Sequence, residues 1–104
     1  MKKNLLFICS ANLNRSPTAE IIFKDNYNTK SAGIDMLSPI KVSKELLEWA
    51  DIIFVMEEWH RYKLKQLFPD FKKKVFVLNI PDMFGKMDEE LIKILKVKIK
   101  KYLD

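Results

Sequence analysis

A chain of 104 residues has room for one domain around one core. Its 48% hydrophobic and 32% charged residues describe a soluble globular protein, and no apolar stretch approaches the about 18–20 residues of a membrane span. One cysteine excludes an intramolecular disulfide and fits a reducing compartment, so a cytoplasmic location is expected. Met1-Lys2-Lys3-Asn4 runs straight into an apolar segment without a small-residue cleavage site, so no secretory signal is expected. The net charge of +5 leaves an acidic partner open, but lysines on helix faces account for it more simply as solubilising charge.

Strand and helix patterns alternate along the chain. Residues 3–8 form a short apolar strand, and 17–25 a helix with Ala19, Ile22 and Phe23 on one face. Asn26-Tyr27-Asn28 breaks that helix, and 29–32 is a weaker strand. An irregular stretch follows over 33–41, with Ser38-Pro39 as a turn signal. Ser43 can cap a short helix whose inward residues are Leu46, Leu47 and Ala50. The clearest strand covers 52–56. A helix over 58–68 ends at Pro69, a fourth strand covers 75–78, and 80–87 is a loop. His60 reads as a plain polar residue on a surface helix. Residues 88–103 close the chain as an amphipathic helix, with Leu91, Ile92, Leu95, Ile99 and Tyr102 on one face. Asp88, Glu89 and Glu90 start it and Lys98, Lys100 and Lys101 end it, both favourable to its dipole. A solvated face explains those lysines better than nucleic acid does. The expected fold is therefore α/β: a single three-layer domain over 1–104 with a four-stranded parallel sheet, right-handed crossovers and helices on both faces.

The chemistry is concentrated between the first strand and the first helix, at Cys9-Ser10-Ala11-Asn12-Leu13-Asn14-Arg15-Ser16. A cysteine at a strand end is more often a small buried hydrophobe. Here it is followed by five residues, an arginine, a serine and then Pro17 at a helix start. A loop of that length can turn successive N–H groups inward as a cradle for a tetrahedral oxyanion. Arg15 adds a planar fork that grips two phosphate oxygens, which lysine cannot copy. Loop dipoles, a guanidinium and a helix N-terminus all favour the reactive thiolate of Cys9, to which Ser16 can donate. In a parallel sheet, ligands sit at the carboxyl ends of the strands. Cys9 follows the first strand and Asp82 the fourth, so both can meet at one edge. No His/Cys/Asp cluster has metal-ligand spacing, and neither metal nor cofactor is expected.

These residues resemble the low-molecular-weight protein tyrosine phosphatases. The likeness runs through Leu5-Leu6-Phe7-Ile8-Cys9, Asn12, Arg15-Ser16-Pro17 and Ala19-Glu20, then Ser31-Ala32-Gly33. It continues through Ala50-Asp51-Ile52-Ile53-Phe54-Val55-Met56-Glu57, and ends at Pro81-Asp82-Met83-Phe84, where the family has Asp-Pro. The resemblance implies a nucleophile at Cys9, a phosphate ligand at Arg15 and a general acid at Asp82. It implies substrate contacts from Ser10, Ala11, Asn12, Leu13, Asn14, Ser16 and Phe84, and loop support from Asn12, Ser16 and Ser31. The implied substrate is a phosphorylated protein or a small aryl phosphate. Oligomeric state is left open.

Three departures from the family bear on activity. Only eight residues separate Gly33 from Val42, where relatives carry a longer insertion that walls the pocket. Asn14 replaces a second loop cysteine, so oxidised Cys9 has no resolving partner. Ala11 replaces a loop glycine and would be strained if that position needs φ > 0. Arsenate reduction on the same fold needs further cysteines, which the chain lacks. Relatives that hydrolyse phosphoarginine carry a small polar residue where Leu13 stands. The alternative of another class is a phosphate or oxyanion sensor that has lost turnover.

Overall fold

Leu5, Leu6, Phe7 and Ile8 have no polar face to offer water, and the strand they form, β1 (Asn4–Cys9), is buried on both sides. The computed structural model describes residues 2–103. Met1 and Asp104, the ends of the expected 1–104 domain, lie outside the described residues. After β1 come α1 (Arg15–Phe23), β2 (Asn28–Gly33), α2 (Lys44–Trp49), β3 (Ile52–Val55), α3 (Glu58–Leu67), β4 (Val75–Val77) and α4 (Glu89–Leu103). The four strands make one parallel sheet in the order β2-β1-β3-β4.

Alternation along the strands divides the core into two halves. Leu5, Phe7 and Cys9 face Ala19 of α1 and Leu91, Leu95 and Ile99 of α4, together with Phe54. Leu6, Ile8, Ile53 and Val55 face Leu47 of α2 and Leu64 of α3. The sheet thus lies between two helical layers, as expected. Each fully buried aliphatic side chain contributes roughly 1.5–3 kcal/mol, so α4 is held chiefly by its Leu91, Leu95 and Ile99 stripe. Ile94 rather than Ile92 packs beside that stripe. Lys98 is not a solvated end residue: its Nζ donates to the carbonyls of Leu78 (2.8 Å) and Asn79 (3.3 Å).

Helix starts follow local chemistry. Ser43 accepts from the Leu46 amide and begins α2. Asp88 does the same for α4, accepting from Glu90 (2.8 Å) and Leu91 (3.4 Å). The first helix begins at Arg15, two residues earlier than Pro17 alone suggests. Pro17 is still tolerated, because the first four amides of a helix have no intrahelical partner.

One feature of this order places the site. The chain leaves β1 toward α1 on one face of the sheet, and leaves β3 toward α3 on the other. The loops after these neighbouring strands therefore part, opening a crevice at their carboxyl ends.

Candidate active site

Cys9 ends β1 and is almost fully buried, with its Sγ 2.9 Å from Ser16 Oγ at the first turn of α1. The loop between them depends on one unusual backbone. Asn12 has φ 57°, a left-handed conformation that asparagine tolerates better than most side chains. Its buried amide holds it there, donating to Ser16 Oγ (3.1 Å) and Ser31 Oγ (3.0 Å). Ser31 in turn donates to Glu20 Oε1 at 2.5 Å. Ser16 Oγ accepts from Asn12, and its own hydrogen has two acceptors in reach, the Cys9 sulfur at 2.9 Å and the Ala32 carbonyl at 3.4 Å. Ala11, which would be strained at positive φ, does not have it; the left-handed residue is its neighbour.

A second set of contacts presses the loop against the segment after β2. The Asp35 amide donates to the Ser10 carbonyl at 2.8 Å, and Ser38 Oγ to the same oxygen at 3.3 Å. Gly33 permits this approach: a Cβ there would stand 2.1 Å from Ser38 Oγ and 3.0 Å from the Ala11 carbonyl carbon. The short stretch from Gly33 to Val42 closes on itself through a bridge between Gly33 and Lys41. Met36 and Leu37 at its tip are almost fully exposed.

Arg15 is only 1% exposed, and its donors are divided between three elements. Nη1 donates to Glu57 Oε2 (2.7 Å) at the end of β3 and to the Ile80 carbonyl (2.6 Å) beyond β4. Nη2 donates to Ser10 Oγ (3.2 Å), and Nε lies 3.8 Å from Asp82 Oδ1. With both Nη1 hydrogens committed, the Nε–Nη2 edge is the part of the fork left for an anion. Asp82 stands over it on the loop after β4, with 58% of its side chain exposed. Leu13 is exposed on the phosphate loop, whereas Phe84 leans half-buried into the core beside α1 and α4.

Two residues of this site were not legible as such in the chain. Glu57 fixes the guanidinium, and in the chain it stood only as the acidic residue that ends the family-like run Ala50–Glu57, with no role attached. His60 is not a surface residue. It is completely buried, accepting from the Glu57 amide at Nδ1 (3.0 Å) and hydrogen-bonding Ser10 Oγ through Nε2 (2.9 Å). Its position as third residue of α3 lets it reciprocate with the helix cap, which turns the ring inward.

Burial, reinforced by the Arg15 charge, lowers the His60 pKa from 6.5 to about 4, against the opposing pull of Glu57 and Asp82. The unfolded chain therefore binds a proton between those values that the folded chain does not. Stability from this group is fully present above pH 6.5 and is lost as pH falls through the window to about 4, by about 3 kcal/mol in all. Denaturant unfolding of the natural chain and of His60→Gln at pH 7, 5.5 and 4 measures this. Equal pH slopes in the two would show that His60 does not carry the effect.

What this arrangement can do is bind a tetrahedral anion against a buried thiol, with an acidic side chain at the mouth. Comparisons with known proteins agree with that geometry. The chain is 32% identical to the low molecular weight protein-tyrosine-phosphatase Ptp of Acinetobacter johnsonii, across 79% of this chain and 80% of that protein. It is 27% identical to a protein-arginine-phosphatase of Bacillus subtilis (strain 168), across 73% of this chain and 70% of the relative. The fold matches the crystal structure of a low molecular weight protein tyrosine phosphatase from Streptococcus pyogenes with a TM-score of 0.79. That match covers 99% of this chain and 91% of the other at 19% identity. No protein-family model matches the chain. The match to the Acinetobacter enzyme spans most of both chains, and with the sheet order and the loop after β1 it shows that the chain belongs to the low-molecular-weight protein tyrosine phosphatase family.

Proposed function

We propose that this chain is a cysteine-based phosphomonoesterase acting on aryl phosphates, either phosphotyrosine in a protein or a small aryl ester. The observation that carries this reading is the commitment of Arg15: Glu57 and Ile80 hold one nitrogen, so the remaining edge faces the loop that starts at Cys9. Loop amides and that edge neutralise the charge on the three equatorial oxygens of a phosphoryl group in transfer. The Cys9 thiolate attacks phosphorus in line, forming a P–S bond as the P–O bond to the leaving group breaks. Asp82 gives its proton to the departing phenolate oxygen, then takes one from the water that attacks the phosphocysteine. That second attack releases inorganic phosphate and restores the thiolate. Asn12, Ser16 and Ser31 keep the loop in shape and do not react.

Leu13 supports the aryl preference, since an exposed aliphatic side chain on the loop offers an apolar flank to a ring. One argument for a sensor without turnover also falls away, because Ala11 carries no left-handed strain. A lone free cysteine supports a reducing, cytoplasmic setting for the thiolate. The test is turnover of an aryl phosphate, with denaturing quench in the first catalytic cycles and mapping of phosphorylated peptides. Turnover with a phosphoryl group on the Cys9 peptide is expected. Binding of phosphate without any turnover would leave an oxyanion-binding protein instead.

A further inference from the structure

His60 hydrogen-bonds the phosphate loop through Ser10, and the pattern of donors around that hydroxyl has a single consistent solution. The Glu57 amide points its hydrogen at His60 Nδ1, so this nitrogen carries a lone pair. A neutral imidazole with a bare Nδ1 holds its proton on Nε2. Nε2 therefore donates to Ser10 Oγ at 2.9 Å. Arg15 Nη2 donates to the same oxygen at 3.2 Å. A hydroxyl oxygen has two lone pairs, and both are now occupied. The Ser10 hydrogen must go to a third group, and the anion held on the neighbouring Arg15 edge supplies the acceptor.

We propose that His60 is a positioning residue that locks the Ser10 hydroxyl as a hydrogen-bond donor to the bound phosphoryl group. The inference rests on the phosphatase reading of the site and adds a side-chain donor to its loop amides. With the opposite tautomer, Nδ1–H would confront the Glu57 amide hydrogen, and Nε2 would accept from Ser10. The hydroxyl would then turn away from the anion. Glu57 ties the two halves together: its amide sets the tautomer, and its carboxylate sets the guanidinium. The charged groups facing the ring are Arg15, Glu57, whose Oε2 is 4.0 Å from Nε2, and Asp82. The Trp59 ring lies 4.3 Å away, centroid to centroid. Burial and Arg15 disfavour the doubly protonated ring, so the donor arrangement persists across the neutral range.

Two measurements test this. Long-range proton–nitrogen NMR of the natural chain is expected to show His60 protonated on Nε2 and bare on Nδ1 at pH 7, unchanged down to about pH 5. A ring protonated on Nδ1 at pH 7 overturns the proposal, and this reading needs no variant to fold. In kinetics with an aryl phosphate, Ser10→Ala is expected to lower kcat/KM by about ten- to a hundredfold, the effect of one donor to a charged acceptor. His60→Phe should lose a similar factor in the natural background and less than about twofold when combined with Ser10→Ala. His60→Gln, which keeps an amide donor, should recover part of the loss. Losses that multiply in the double variant would make His60 a packing residue only and overturn the proposal. A Cys9→Ser chain as active as the natural one would instead remove the phosphatase reading on which the proposal stands, whatever the NMR shows.

Discussion

Arg15→Lys is expected to slow aryl phosphate hydrolysis by roughly 10³-fold while the fold survives, the scale of removing a charge-stabilising group aimed at a transferring phosphoryl. The reason is geometric. Arg15 serves four neighbours from three nitrogens, with Nη1 clamped to Glu57 and the Ile80 carbonyl and the opposite edge left to the anion. A lysine has one nitrogen. If it satisfies Glu57 it abandons the phosphate, and if it follows the phosphate it leaves a half-buried carboxylate and a carbonyl unpaired. The charge beside Glu57 is retained, so unfolding should remain cooperative and the secondary structure unchanged. Steady-state kinetics together with a thermal melt decides the matter. An Arg15→Lys chain with nearly full activity would mean the loop does not hold phosphate through this fork.

The second large effect concerns the proton donor. Asp82→Asn is expected to slow hydrolysis of phosphotyrosine by roughly 10²–10⁴-fold, the usual contribution of a positioned acid. Asp82, Asp70 and Asp88 all lie between α3 and the first turn of α4 in the chain, and their surroundings separate them. Asp70 precedes β4 and sits at the opposite edge, while Asp88 is occupied in capping α4. Asp82 follows Ile80, whose amide is anchored to the Met56 carbonyl and whose own carbonyl takes an Arg15 donor. That double anchor brings Asp82 Oδ1 to 3.8 Å from Arg15 Nε while leaving the carboxyl largely exposed to an incoming substrate. The loss should shrink for an ester whose leaving group is already a weak base, because that group needs little proton assistance. Asp88→Asn should leave turnover unchanged, as asparagine caps a helix about as well as aspartate. Equal slowing of good and poor leaving groups by Asp82→Asn would remove Asp82 from this role.

Much of this molecule was legible in its residues because the relevant signals are local. The apolar run Leu5–Ile8, the five-residue interval from Cys9 to Arg15 and the Ser43 and Asp88 caps each act within a few positions. The alternation of strands and helices then limits the topology to a parallel sheet with its loops at one edge. Asn12, Ser16 and Ser31 could be named as one supporting group only through family likeness, since nothing local links positions 12 and 31. Register does that, by pairing Phe7 with Ser31 and Cys9 with Gly33 across β1 and β2.

Sequence by itself singled out Cys9 and Arg15 and implied the layer order, because those follow from residue type, spacing and hydrophobic period. Tertiary structure alone decided what surrounds them. Glu57 becomes the partner of Arg15 because β3 lies beside β1 in the sheet, although the two residues are 42 positions apart. His60 leaves the surface because the cap of α3 turns its ring beneath Ser10, and 50 positions separate that pair. Left-handed backbone falls on Asn12 and not on Ala11 because the hydrogen bonds that stabilise it come from α1 and β2. Each of these outcomes depends on which elements become neighbours, and neighbours far apart in the chain leave no periodic trace in it.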